Sequence, residues 1–243
     1  MAVGPSSRII SMDLIDERKA REGEVLLPEL VPFLDDGKGF LGPCLKHPLV
    51  FDIPFFPQMA WRCNDQYQQK RELLAKAVTE RDWYTAIWLH ERPFRAHAFA
   101  GLQSKMHHAE YWELLGLVWC DSENIWQWGY LAAELLGSRR PARRFMMDPE
   151  EREALAALPD TFTVYRGLTV PQGVKQGWSW TLDKDKAEWF SIRLIRKGNK
   201  PLVLTGEVRR SSVIAHLTRR GEAEIVVNPR DVLLPGASKH KPA

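Results

Sequence analysis

Cysteine is scarce. The three residues, Cys44, Cys63 and Cys120, form no C-x-x-C pair. An odd count of this kind argues against a disulfide framework and suits free thiols in a reducing cytosol. No apolar run approaches the ~20 residues that span a bilayer, so no membrane crossing is expected. Met1 to Arg8 lacks a basic region followed by an apolar run, so no signal peptide is expected and the chain reads as cytoplasmic. The 7 histidines offer no His-x-x-x-His spacing. His107 and His108 are neighbours and would face different sides of a helix, so no metal is expected. Repeats and low-complexity tracts are absent.

What is present describes an ordinary globular chain. Its 243 residues are 44% hydrophobic and 27% charged, enough for one large domain or two modest ones. Net charge is only +3, but it is unevenly spread. Residues 160–243 hold 15 Lys and Arg against 8 Asp and Glu, whereas residues 1–159 hold 19 against 23. A basic C-terminal part suits an anionic ligand, a dinucleotide or a nucleic acid, and equally a plain solvated surface.

The first half reads as helical. Residues 40–62 are proline-rich and carry the apolar run Pro48 to Pro57, which reads as an extended segment laid over the core. Asn64-Asp65, with Gln68 three residues on, offers a helix start. Asp82 starts another helix that would bury Trp83, Ala86, Ile87 and His90 before Pro93. Residues 104–120 continue at helical spacing. Ser122 would cap a further helix ending at Gly137. Seven of the ten tryptophans lie between Trp61 and Trp128, an aromatic stripe that reads first as core. Ser138-Arg-Arg-Pro-Ala-Arg-Arg144 reads as a solvated connector, with a phosphate-contacting patch as the alternative. Asp148-Pro149-Glu150-Glu151 is a dense helix-start signal.

Three short strands follow, each with polar residues set into it. They are Val164-Tyr165-Arg166-Gly167, Trp178-Ser179-Trp180-Thr181 and Gly221-Glu222-Ala223-Glu224-Ile225-Val226-Val227. Residues two apart on a strand share a face, so Ser179 goes with Thr181 and Glu222 with Glu224. Buried strands normally avoid such groups.

An arginine, a Ser-x-Thr and a Glu-x-Glu on three successive strands resemble the ADP-ribosyltransferases of the arginine-serine-glutamate type, over roughly the last third of the chain. With the helical reading above, the resemblance implies an α+β protein: a mostly helical region 1–140, integral to the fold or serving acceptor recognition or regulation, then a compact split-sheet catalytic core over 141–243. It implies NAD as co-substrate and transfer of ADP-ribose to a protein or nucleic-acid acceptor with release of nicotinamide, as a bacterial or phage effector or toxin would perform. Arg166 would grip the pyrophosphate. Gly167 would approach the nicotinamide amide. Ser179, supported by Thr181, would hold the ribose. Glu224 would stabilise the cationic sugar, and Glu222 would serve the acceptor. Phe190 would form a stacking wall or belong to the core series Ala187, Phe190, Ser191, Leu194. The spacing of twelve residues between Arg166 and Ser179 is shorter than in many members, and Trp180 stands where a small residue is usual. An NAD glycohydrolase and a non-catalytic module binding nucleic acid or a partner are the other readings.

Overall fold

The computed structural model describes residues 21, 23–35, 37–38, 42–122, 128–170, 177–193, 195, 199–219 and 221–234. Among them are seven α-helices and two antiparallel sheets, an α+β chain. No helix among these residues is long and apolar enough to cross a membrane. Two compact units divide between Ala98 and Phe99.

The first unit pairs β1 (Leu45–His47) with β2 (Val50–Asp52), followed by α1 (Ala60–Glu80) and α2 (Trp83–Trp88). The proline-rich run is more than a cover. Leu45, Leu49, Val50 and Phe55 form the core with Leu30, Ala60 and Cys63. That burial pushes the Cys63 thiol up to about 11. α1 starts at Ala60, after a turn opened by Pro57, and not at Asn64-Asp65. The reason is tertiary. Asn64 is buried within the helix, donating to Glu24 Oε1 and the Val25 carbonyl, both at 2.9 Å, and accepting from Leu27 N–H. Asp65 pairs with Arg21 at 2.8 Å. Both side chains hold the preceding strap, so neither caps the helix. Asp82 does cap α2, accepting from Thr85 N–H at 3.0 Å, and Trp83, Ala86 and Ile87 are buried as the spacing predicts. The helix α3 (Arg95–Leu102) follows.

The second unit holds α4 (His108–Asp121), α5 (Tyr130–Leu136), α6 (Pro149–Ala157) and the larger sheet. Residues 123–127, where the Ser122 cap would lead, lie outside the described residues. The described residues between 99 and 140 belong to the same compact unit as the sheet. The arginine-rich stretch is docked through Arg140, while Arg139, Arg143 and Arg144 stay exposed. Arg140 lies 4.5 Å over the Tyr111 ring and donates to the carbonyls of Gln103 (2.8 Å) and Met106 (3.1 Å). Trp112 Nε1 donates to the Pro141 carbonyl at 3.0 Å. These bonds remove a hinge at 140 and fix α4 to the chain entering the sheet.

The sheet runs β5-β3-β4-β7-β6, antiparallel throughout, from β3 (Thr161–Val170), β4 (Ser179–Thr181), β5 (Lys200–Arg209), β6 (Val213–Leu217) and β7 (Glu224–Val227). Val164, Trp180, Val208, Val213, Ile225 and Val227 form its apolar core, with Leu155 of α6 and Leu158 just after it packed against them. The helix α7 (Lys184–Ile192) is capped by Asp183 and lies against β3.

Asp148 and Glu151 form the reciprocal cap the sequence signals, at 2.8 and 3.0 Å. Glu151 does more. It is fully buried, and accepts from Thr218 N–H at 2.9 Å and from Arg219 at 2.9 Å. One carboxylate thus ties α6 to the chain leaving β6 toward Glu222. Glu151→Leu should cost about 1–3 kcal/mol in urea unfolding, because it removes the acceptor of Asp148 N–H, Thr218 N–H and Arg219. His216 predicts a pH effect. Both its ring nitrogens are buried without a partner among the described residues, and burial holds its pKa below the ordinary value, as it does for His47 and His90. The unfolded chain then binds more protons, so stability should fall as pH drops through ~6.5. The urea midpoint between pH 7 and 5 should fall less steeply in His216→Leu than in the wild type.

Candidate active site

The three motif strands are neighbours, in the order arginine, serine, glutamate. β3 meets β4 at Tyr165↔Thr181, and β4 meets β7 at Ser179↔Val226, Trp180↔Ile225 and Thr181↔Glu224. Directly opposed residues share a face of the sheet. Ser179, Thr181 and Glu224 therefore lie together on one face. Arg166 follows Tyr165 by one residue, so its Cβ starts on the other face, with Val164 and Trp180.

The guanidinium does not continue into that apolar face. The β3–β4 ladder consists of the single pair at Tyr165, and beyond it Arg166 Nη1 donates to the Ser179 main-chain carbonyl. Gly177 makes room for the group: a Cβ there would stand 2.3 Å from Nη2. Arg166 thus lies where β3 and β4 part, bonded to the carbonyl of Ser179 and not to its hydroxyl. Its Nε is buried without a partner among the described residues. Burial holds its pKa below the usual arginine value, while the Glu224 charge opposes that shift. The serine hydroxyl bonds to no described residue.

Glu224 is 6% exposed, and its Oε1 accepts from Trp119 Nε1 at 3.0 Å. Trp119, on α4, is fully buried and meets Trp128 edge-on at 5.4 Å. Glu222 stands apart from the strand. Ala223 has φ 42°, a left-handed conformation, so the alternation that would put both glutamates on one face stops at Glu224. The Glu222 carbonyl accepts from the Thr181 hydroxyl at 2.7 Å, and that hydroxyl accepts from Asp183 N–H at 3.0 Å. Thr181 is thereby a strut between the approach to β7 and the start of α7.

Gly167 has a packing reason. A Cβ there would fall 2.0 Å from the Ala187 carbonyl and 2.7 Å from Ser191 N. α7 lies against that side of the glycine. Thr169, two residues on, donates to the Ser191 carbonyl at 3.1 Å. Phe190 is half-buried and edge-on to Trp189 at 5.0 Å, between buried Ala187 and Ser191. Trp180 is explained by its face: it belongs to the apolar core, and its Nε1 donates to the Gly177 carbonyl at 2.9 Å.

Trp119 and Gly177 escape a sequence reading. Trp119 sits at a buried helical position, where an indole reads as core, and the only hint of Gly177 is its place just before a strand. Among the described residues no three His, Cys, Asp or Glu side chains gather to hold a metal ion. No protein-family model, curated protein or solved structure matches this chain.

The arrangement offers a buried carboxylate, a desolvated guanidinium with spare donors and a hydroxyl between them in sequence order. Arg166 is expensive to bury and has little to hold it. Its desolvation outweighs its attraction to Glu224, so Arg166→Met should leave the urea midpoint unchanged or raise it. A loss of ~3 kcal/mol or more would mark Arg166 as a structural strut and not an anion site.

Proposed function

We propose that the chain is an NAD-dependent mono-ADP-ribosyltransferase, its second unit a split-sheet core of the arginine-serine-glutamate type. The observation that carries this is the adjacency of β3, β4 and β7, with an under-bonded Arg166 beside the Ser179 carbonyl and electrostatically coupled to a buried Glu224. A half-buried cation with unused donors suits a pyrophosphate, which guanidinium can bind through two parallel hydrogen bonds.

The chemistry asks little of the protein. Nicotinamide leaves with the electron pair of its bond to ribose C1′, and positive charge develops on the sugar, as in glycoside cleavage. Glu224 supplies fixed negative charge in a dry setting, where it acts most strongly. The Ser179 hydroxyl is available to hold the ribose. An acceptor nucleophile then bonds to C1′ and gives up its proton. The roles of the other residues shift from those the resemblance implies. Gly167 seats α7, Thr181 braces the approach to β7, and Phe190 belongs with the packing of α7.

The left-handed Ala223 favours a second reading. With Glu222 outside the strand, an acceptor-orienting carboxylate is no longer fixed by sheet geometry, and water, which needs less positioning, is a competent acceptor. This would make the chain an NAD glycohydrolase. Incubation of the protein with adenylate-labelled NAD and a cell lysate separates the two: label should appear on a macromolecule, whereas nicotinamide release without labelling selects hydrolysis. Glu224→Gln keeps an oxygen for the Trp119 bond and removes the charge, so it should fold normally and lose ~10²–10³ in nicotinamide release. Full activity in that variant rules the reading out.

A further inference from the structure

We propose that Trp119 is a positioning residue of the site, its indole N–H fixing the rotamer of the Glu224 carboxylate. This rests on the reading of Glu224 as the catalytic carboxylate. The two residues are 105 positions apart in the chain, yet Nε1 and Oε1 meet at 3.0 Å with both side chains buried.

Several observations point from this bond to a positioning role. An indole has one donor and no acceptor, so its only polar act here is to hold one carboxylate oxygen. The ring cannot drift. Trp119 is fully enclosed, faces Trp128 edge-on, and shares its helix with Trp112, which donates to the Pro141 carbonyl. Gly116, one turn before, lets the chain at Met146 come close: a Cβ there would lie 2.4 Å from the Met146 carbonyl. From Met146 the contacts continue through Arg219 and Glu151 to the chain between β6 and β7. The donor and the strand bearing its acceptor are thus held by one connected frame.

The consequence is chemical. With Oε1 held by the indole, the position of the carboxylate is restrained. A donor on the ionised form also favours that form over the protonated acid. Helical residues of the first 140 thereby reach into the chemistry, through α4. A catalytic segment cut at residue 141 would lack this donor.

The test is Trp119→Phe in the full chain, assayed for nicotinamide release across pH beside Glu224→Gln. Loss of a hydrogen bond to a charged group should lower kcat ~10-fold or more with KM little changed, and move the acid limb of the pH–rate profile up by about one unit. A merely structural tryptophan would lower thermal stability and leave that limb in place. The intact protein gives a second readout, independent of activity. With 15N-labelled tryptophan, one indole N–H resonance should shift with pH along the acid limb, and the shift should vanish in Glu224→Gln. If Glu224→Gln is inactive while Trp119→Phe keeps the wild-type rate and limb, the positioning role is overturned and the enzymatic reading stands. If no indole resonance follows the limb, the positioning role is likewise overturned. If Glu224→Gln releases nicotinamide normally, both fall.

Discussion

Placing a carboxylate inside an antiparallel sheet is the constraint to which the rest of the second unit answers. Glu224 is the first residue of β7, opposite Thr181 on one side and Leu217 on the other, and nearly closed to water. An ionised group in such a place is unfavourable by several kcal/mol unless donors and opposite charge surround it. Trp119 brings a donor from α4, and Arg166, two strands away, brings a charge whose own desolvation outweighs the attraction. Each of those needs its own frame. α4 is fixed by the docked arginine stretch, and Arg166 by the carbonyl of Ser179 and the bare backbone of Gly177.

Conflict between sheet geometry and charge also explains where the strands part. Regular pairing of β3 with β4 past Tyr165 would leave Arg166 among Val164 and Trp180, on an apolar face. The guanidinium instead turns to the Ser179 carbonyl, a bond that regular pairing would direct to a backbone N–H. The same economy appears at Gly167 and Thr181. Residues that looked like ligand contacts are used to seat α7 and to brace the approach to β7, and both acts help hold the strands that carry Arg166 and Glu224.

Much of this was legible in the sequence, wherever local chemistry decides the outcome. Asp82 and Asp148-Pro149 mark helix starts because a cap acts within three residues. The strands of Arg166, Ser179 and Glu224 were readable from β-branched runs between glycines. Long-range use of polar side chains was not. Asn64 and Asp65 look like a cap and are tertiary struts. Glu222 looks paired with Glu224 by alternation, and one left-handed alanine, a residue with no turn preference, breaks the series. Ser138 to Arg144 reads as a solvated connector because arginines usually are solvated, whereas carbonyls and aromatic rings far off in the sequence capture Arg140. Trp119 was legible as core and opaque as a donor, since periodicity reports burial and says nothing of what an indole N–H meets.

The central claim is that Arg166, Ser179 and Glu224 serve one NAD molecule. A crystal structure with a hydrolysis-resistant NAD analogue tests it most directly. The account predicts the pyrophosphate within hydrogen-bonding distance of the Arg166 guanidinium, in the gap between β3 and β4, and the nicotinamide ribose beside Ser179 and Glu224. An analogue bound with its phosphates away from Arg166, or with its ribose on the apolar face of Val164 and Trp180, would contradict it.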